Sequence, residues 1–112
     1  MSQLTTHILD TTIGKPAQGV SIKLYQQTNA DWHCIATGIT NADGRIANLL
    51  EDDKILDFGN YKMTFETKAY FDAQQVQTFY PFVEITFIIS NNEHYHIPLL
   101  LNPFAYSTYR GS

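Results

Sequence analysis

Apolar and polar residues alternate along most of this chain in short runs, and such alternation is typical of β-strands with one buried face. The clearest run is residues 19–26, where more polar positions separate Val20, Ile22 and Leu24. Seven other runs are rich in β-branched, aromatic or other apolar residues. We therefore predict about eight strands, at residues 3–10, 19–26, 32–40, 45–50, 61–67, 83–90, 93–101 and 104–110.

Residues typical of turns separate these runs. They lie in five clusters, at residues 14–16, 27–30, 41–44, 58–60 and 91–92. Residues 68–77 contain no Gly or Pro and several helix formers, which predicts one short helix. Many short strands between frequent turns indicate a mainly-β fold, an antiparallel β-sandwich with one small helix. We find no internal repeat or linker, so residues 1–112 are predicted to form a single domain.

Two predicted strands have apolar residues on both faces. In an extended strand 93–101, one face has the apolar set Tyr95, Ile97, Leu99, Leu101. The other face has two histidines and two apolar residues, His94, His96, Pro98, Leu100. Strand 3–10 likewise places His7 and Leu9 opposite Thr6 and Ile8. A sandwich strand needs only one apolar face, so an apolar outer surface predicts a contact with a partner or ligand. We therefore expect an oligomer whose interface contains these histidines.

Composition narrows the possible partners. The chain has 112 residues, with 7 Lys and Arg against 11 Asp and Glu, and a formal net charge of −4. A chain of this length buries an ordinary core without disulfides or a structural metal. Cys34 is the only cysteine, so no intramolecular disulfide forms. The few scattered basic residues make no patch for a phosphate backbone or an anionic membrane, so we expect neither nucleic acid nor membrane as a partner.

The first residues also suggest a location. Residues 1–7 lack the basic and apolar regions of a secretory signal, and His7 and Asp10 interrupt the only apolar candidate. No segment approaches the roughly 20 apolar residues that cross a bilayer. Together with a lone thiol, these features predict a cytoplasmic protein.

Four segments make the chain recognisable. They are LTTHILD (4–10), NADGR (41–45), HIPLLL (96–101) and the terminal YRGS (109–112). In this order, ending at the last residue, they resemble the 5-hydroxyisourate hydrolase family, the transthyretin-related branch of the transthyretin fold. The resemblance covers essentially the whole chain, and YRGS is its most specific motif. One departure is Asn102, where the family usually has Ser.

The resemblance implies a transthyretin-like sandwich that assembles as a homotetramer, a dimer of dimers, with active sites in a channel at the dimer–dimer interface. It implies hydrolysis of 5-hydroxyisourate to 2-oxo-4-hydroxy-4-carboxy-5-ureidoimidazoline, with no cofactor and no metal. The catalytic set carried over from the motifs is His7, Arg45, His96, Ser112. The set for substrate binding is His7, Arg45, Tyr109, Arg110.

These residue types suit the reaction. Water attack on a ring carbonyl needs an activated water, a stabilised oxyanion and a proton for the departing ring nitrogen. A histidine with a pKa near 6.5 serves as base or acid at neutral pH, and His7 and His96 are the candidates for the two roles. The planar guanidinium of Arg45 suits carbonyl or imide groups. Ser112 offers either its hydroxyl or the terminal carboxylate, and Tyr109 offers stacking or a hydrogen bond.

Simpler interpretations exist for each position. Without the motifs, His7 and His96 are structural or surface residues, Arg45 is a solvated turn residue and the tail is a frayed terminus. We expect His94 and His33 to be exposed and uninvolved. We expect Cys34 to be a small buried hydrophobic residue.

Two rival functions are open. A non-catalytic carrier would bind a small aromatic ligand in the same channel, although two histidines and an arginine are costly to desolvate in an apolar pocket. A metal site would use His94, His96 and His7. Structural zinc usually takes four ligands, so we expect no functional metal.

Overall fold

The computed structural model describes residues 2–111, which form two four-stranded sheets and one short helix. The predicted content of eight strands and one helix is therefore confirmed. The helix α1 (Thr67–Asp72) follows the fifth strand. The strands are β1 (Leu4–Asp10), β2 (Lys15–Pro16), β3 (Ser21–Thr28), β4 (Asp31–Ile39), β5 (Gly59–Phe65), β6 (Val83–Ile89), β7 (Tyr95–Asn102) and β8 (Ala105–Thr108).

The two sheets have different strand directions. The first sheet has the order β2-β1-β7-β8, and the second has the order β4-β3-β5-β6. Every neighbouring pair is antiparallel except β1 and β7, which are parallel. The predicted sandwich is thus correct, whereas an entirely antiparallel pairing is wrong. A parallel pair needs a long crossover, and here almost the whole chain between β1 and β7 supplies it.

The core lies between the two sheets and follows the predicted alternation. In β3, Ile22 and Leu24 are at most 1% exposed. In β7, Tyr95, Ile97, Leu99 and Leu101 are all buried, as their shared face predicts. Because removal of apolar surface from water is the main stabilising contribution, each strand turns its apolar face toward the core. The remaining face of β1 and β7 must therefore point outward.

The predicted strand at 45–50 is wrong. Arg45 forms one antiparallel bridge with His7, and residues 46–50 form no strand. Leu49 and Leu50 are buried although they lie in a loop, so burial in the core explains their apolar character. The extra strand of the sheet is instead β2, where the sequence predicted only a turn.

The helix is shorter than the predicted 68–77. It ends at Asp72, and the N–H of Val76 donates to the Phe71 carbonyl at 3.0 Å to close a turn. Gln75 takes a positive φ of 60° in this turn, which a helix does not allow. A hydroxyl anchors the helix, because Tyr70 donates to Oδ2 of the buried Asp10 at 2.8 Å. No helix among residues 2–111 is long and apolar enough to span a membrane.

Cys34 is exposed, so the prediction of a buried cysteine is wrong. It lies on β4, the edge strand of the second sheet, and the β3–β4 register shifts between Leu24 and Tyr25. Such a bulge changes which side chains face the core, and alternation along one strand does not reveal it. His33 is exposed as predicted.

Candidate active site

The parallel pairing of β1 with β7 brings the predicted histidines onto one surface. His7 pairs with Pro98, and Thr5 pairs with His96. Cross-strand partners point to the same face of a sheet, so His7 and His96 share the outer face, diagonally across two neighbouring strands. Both histidines are partly buried. The shared face, and not the spacing along the chain, makes them neighbours.

Arg45 reaches this surface through a tight turn. The Ile8 N–H donates to the Gly44 carbonyl at 2.9 Å, and Arg45 itself bridges His7. The side-chain oxygen of Asn41 accepts from the N–H of Arg45 at 3.2 Å. Gly44 has a φ of 73°, and a Cβ there would collide with the Ile8 carbonyl oxygen. Glycine therefore allows the turn to lie against β1 and sets Arg45 beside His7.

His96 is held on two sides. The Thr5 hydroxyl lies 2.8 Å from Nδ1 of the ring. The Gly111 N–H donates to the His96 carbonyl at 2.8 Å, and a Cβ at Gly111 would lie 2.8 Å from the ring carbon Cδ2. The tail therefore lies flat against His96 only because residue 111 has no side chain.

His94 also contacts this cluster and is not exposed, so the prediction that it is an exposed residue is wrong. Its Nε2 lies 3.0 Å from the same Thr5 hydroxyl that contacts His96. The His94 and His96 rings are stacked, with centroids 6.4 Å apart and an interplanar angle of 19°. The side chain is partly buried. Thr5 thus joins two imidazoles through one oxygen.

The tail residues before Gly111 lie elsewhere. The Arg110 guanidinium is 4.6 Å from the centroid of the Tyr95 ring, and its Nη2 is 3.7 Å from Glu93 Oε1. Tyr95 belongs to the core face, so Arg110 lies on the opposite side of the sheet from the His96 ring. Tyr109 is 60% exposed. Ser112 lies outside the described residues.

A mainly apolar cleft of about 300 Å³ lies beside this part of the tail. Residues of β6, β7, β8 and the tail line it: Ile85, Phe87, Ile88, Tyr95, His96, Ile97, Thr108, Tyr109, Arg110. Within one chain the structure therefore gathers His7, Arg45 and His96, whereas Arg110 faces the far side of the sheet.

Burial and charge shift both histidines in the same direction. Burial lowers the pKa of His7, and the Arg45 charge lowers it further, while the backbone and the carboxylate of Asp43 oppose the shift. Burial also lowers the pKa of His96, followed by the charges of Arg45, His94 and His7, and a backbone hydrogen bond with Thr5 opposes this. Because the ordinary pKa is 6.5, both rings are mainly neutral at pH 7.

Two neutral imidazoles beside a permanent cation suit proton transfer next to a developing negative charge. In such an arrangement an imidazole can take a proton from water, and a guanidinium can stabilise an oxyanion or an anionic substrate. Among residues 2–111, no three His, Cys, Asp or Glu side chains are grouped to hold a metal ion. His94 and His96 each turn a ring nitrogen toward the Thr5 hydroxyl.

Sequence reasoning missed three contributors to the site. Thr5 shares the outward-facing positions of β1 with His7, so alternation along the strand was a usable signal. His94 shares a face with His96, but only the structure shows the hydroxyl between them. Gly111 lies in the YRGS motif but was given no role, since its importance depends on docking of the tail against a strand.

The chain is similar over nearly its whole length to known proteins. The family model described as HIUase/Transthyretin family matches residues 4–111. The chain is 46% identical to 5-hydroxyisourate hydrolase of Salmonella dublin over 110 residues, which cover 97% of this chain and 80% of that protein.

Solved structures of the same family have a similar fold. The structure of Klebsiella pneumoniae 5-hydroxyisourate hydrolase is 39% identical with a TM-score of 0.85, over 100% of this chain and 94% of that one. Sea bream transthyretin in complex with thyroxine is 38% identical with a TM-score of 0.91, over 97% of this chain and 94% of that one. The predicted transthyretin-like sandwich and the resemblance seen in the sequence are both confirmed.

Proposed function

Since this chain belongs to the HIUase/Transthyretin family, we propose that it hydrolyses 5-hydroxyisourate to 2-oxo-4-hydroxy-4-carboxy-5-ureidoimidazoline, a step of urate degradation. One observation carries the proposal. Two histidines with lowered pKa values and one arginine, which come from three separate motifs, meet on one face of the first sheet. The enzyme is a cyclic amide hydrolase that opens the six-membered ring.

The reaction uses the three side chains in distinct roles. A neutral imidazole, of His7 or His96, takes a proton from the attacking water. Arg45 pairs with the substrate and stabilises the oxyanion that forms at the ring carbonyl. The imidazole that took this proton then donates it to the departing ring nitrogen, and the other imidazole contacts the substrate. The lowered pKa values of both histidines support these roles, because a base must be unprotonated when the water attacks.

The tail completes the proposed site. Gly111 bonds to the His96 backbone, which brings the residue before Ser112 against a catalytic histidine. We assign Ser112 to orientation of a histidine or the water, through its hydroxyl or the terminal carboxylate. Tyr109 and Arg110 are assigned to substrate binding. Because Arg110 lies across the sheet from His96 in one chain, its assignment is tested separately from that of His96.

The proposed assembly is a homotetramer, a dimer of dimers, with the histidine face in a channel between dimers. Two partly buried apolar residues beside the histidines support an interface here, namely Leu9 and Leu100. Pro98, expected on the same outer surface, is instead buried within the chain. Light scattering coupled to size exclusion should give four times the 12.8 kDa chain mass. A monomer with full activity would contradict the assembly.

The activity is tested with 5-hydroxyisourate generated in place from urate by urate oxidase. The ultraviolet absorbance of the intermediate should decay faster with this protein, and the acceleration should disappear in the His96→Ala and His7→Ala variants. An exposed histidine on the second sheet gives the matched control, His33→Ala, which should keep the wild-type rate. Spontaneous decay alone, with folded wild-type protein, would overturn the proposal.

A carrier function is the second candidate, and the similarity to thyroxine-bound sea bream transthyretin favours it. A carrier binds an aromatic ligand without changing it. Calorimetric titration with thyroxine, together with the absorbance assay, separates the two functions. Tight binding without accelerated decay would favour the carrier. Accelerated decay that depends on His96 would favour the hydrolase.

We place the protein in the cytoplasm. The single cysteine, Cys34, is exposed and free, which suits a reducing compartment. Fractionation of cells that express the full chain, with detection by antibody, tests this location. Recovery in a secreted or membrane fraction would contradict it.

A further inference from the structure

We propose that Thr5 and His94 form a positioning pair that sets the tautomer of His96 and makes its Nε2 the general base. The inference rests on the proposed hydrolase function and extends it to two residues that lie outside the recognised set. Thr5 and His94 act through His96 and need not touch the substrate.

The argument begins with the single hydrogen of a hydroxyl. The Thr5 oxygen lies 3.0 Å from His94 Nε2 and 2.8 Å from His96 Nδ1. A hydroxyl donates one hydrogen bond, so it donates to one ring nitrogen and must accept from the other. The tautomers of the two neutral rings are therefore coupled. In one arrangement His96 Nδ1 carries the hydrogen, and in the other His94 Nε2 carries it.

The first arrangement prepares His96 as a base. With the hydrogen on Nδ1, the lone pair lies on Nε2, the nitrogen that does not contact Thr5. The Thr5 backbone also makes a hydrogen bond that favours a protonated His96 ring. A flip of the ring would place Cδ2 where Nδ1 lies and would lose the contact with the Thr5 hydroxyl, while Gly111 packs against the Cδ2 side of the ring. Geometry and packing thus favour an Nδ1–H tautomer.

The same chain of contacts moves a proton away during the reaction. When Nε2 takes a proton from water, Nδ1–H passes its proton to the Thr5 oxygen, and the Thr5 hydroxyl proton moves to His94 Nε2. His96 is then neutral with its hydrogen on Nε2. Donation of that hydrogen to the departing ring nitrogen is matched by the reverse shift, so all protons balance.

Neighbouring positive charges favour this transfer of a proton from His96 to His94. His96 faces Arg45 of the 41–45 turn, His7 of β1 and His94 of its own strand, and each charge disfavours an imidazolium at His96. Within residues 2–111, the tail reaches His96 through the backbone of Gly111. His94 lies further than His96 from Arg45 along the outer face of the sheet, so a positive charge on His94 is further from the Arg45 guanidinium. Transfer through Thr5 thus avoids a second cation directly beside Arg45.

The first test reads the tautomer without activity. Nitrogen-15 NMR of histidine-labelled protein at pH 7.5 should show that Nδ1 of His96 is protonated and that Nε2 is unprotonated. In Thr5→Val, which keeps the shape but loses the hydroxyl, His96 should move toward the Nε2–H form. Thr5→Ser should restore the wild-type spectrum. An unchanged His96 tautomer in folded Thr5→Val would overturn the proposal.

The second test is kinetic. Thr5→Val and His94→Phe should lower kcat by about 10- to 100-fold with little change in KM, because they affect proton transfer and not binding. The kcat of Thr5→Ser should stay within about threefold of the wild-type value, because serine keeps the hydroxyl. In His94→Phe the acid limb of the pH–rate profile should move to higher pH, since one cation near His96 is lost. His33→Phe is the matched control and should shift nothing.

The outcomes separate this proposal from the function on which it rests. If wild-type protein fails to accelerate decay, the hydrolase proposal fails, and the NMR result still decides whether Thr5 and His94 set the tautomer. If wild type is active and all Thr5 and His94 variants match it in rate and pH profile, the positioning pair is wrong. If Thr5→Val does not fold, His94→Phe and Thr5→Ser decide the question by the same readouts.

Discussion

Arg45 and His7 form a single antiparallel bridge beside β1, although they lie 38 positions apart in the chain. The bridge places a permanent cation beside one histidine, and the Arg45 charge lowers the pKa of both His7 and His96. In the proposed mechanism Arg45 therefore provides positive charge for the substrate and also keeps the two histidines neutral.

Removal of this charge should affect rate more than stability, because Arg45 is exposed. Arg45→Ala should lower kcat/KM by about 100- to 1000-fold, the range found when one oxyanion donor is lost. Arg45→Lys should recover only part, since an ammonium lacks the planar fork. The absorbance assay measures both. Lys23→Ala on the second sheet is the control, and a wild-type rate for Arg45→Ala would remove Arg45 from the mechanism.

The rate should depend on pH through the histidines. Their pKa values are lowered from 6.5, so the bases are neutral above that value and become protonated as the pH falls below it. We expect a constant rate near and above neutrality and a decline below about pH 6. Circular dichroism over the same range checks that the decline is not unfolding. A flat profile from pH 5 to pH 8 would contradict a histidine base.

Alanine substitution at two glycines with similar backbone angles distinguishes the cost of a left-handed backbone from the cost of a Cβ clash. Gly44 and Gly14 have φ of 73° and 66°, but only at Gly44 would a Cβ meet another residue, the Ile8 carbonyl. Gly14→Ala should cost about 1 kcal/mol, from the left-handed conformation alone. Gly44→Ala should cost more and should also lower the rate, because Arg45 moves. Urea denaturation and the absorbance assay measure the two effects, and equal values for both variants would contradict the close approach.

The hydrogen bond from Tyr70 to the buried Asp10 should stabilise the packing of α1 on the first sheet. Tyr70→Phe leaves one carboxylate oxygen without this donor and should lower the free energy of unfolding by about 1–2 kcal/mol. Tyr106→Phe is the control, because it removes a tyrosine hydroxyl elsewhere and keeps the edge-on contact of that ring with Tyr80. Urea denaturation measures the difference, and equal stability of both variants would count against the bond.

Tyr70 also makes stability depend on alkaline pH. Burial and then the bond to Asp10 raise its pKa to about 12. The ordinary pKa is 10.0, so the unfolded chain loses this proton before the folded chain does. Stability from this group is therefore complete below about pH 10 and declines as the pH rises through 12. In Tyr70→Phe this part of the decline should be absent.

Alternation along single strands predicted a large part of the site. Tyr95, Ile97, Leu99 and Leu101 form a core face, and their burial confirms that prediction. His96 then has to point outward, because adjacent side chains of a strand point in opposite directions. The motif resemblance added Arg45, which no periodicity singles out. Local pattern and motif together thus identified three residues that the fold brings onto one surface.

The contacts between distant segments were beyond such reasoning. The parallel register of β1 with β7, the turn that replaces the predicted strand 45–50, and the exposure of Cys34 all depend on segments far apart in the chain. His94 shows the same limit most clearly. The sequence shows that His94 and His96, two positions apart, share a strand face. The Thr5 hydroxyl that joins them, however, lies 89 positions away from His94.

The sequence by itself determined which side of each strand is buried, because that choice depends on the period of two between neighbouring side chains. It also determined the chemistry available on the opposite side: imidazoles, one guanidinium and the tail motif. Only the tertiary structure decided which of these groups meet. Strand register and the close contacts at Gly44 and Gly111 decide this, and both arise from pairing between segments that no local pattern relates.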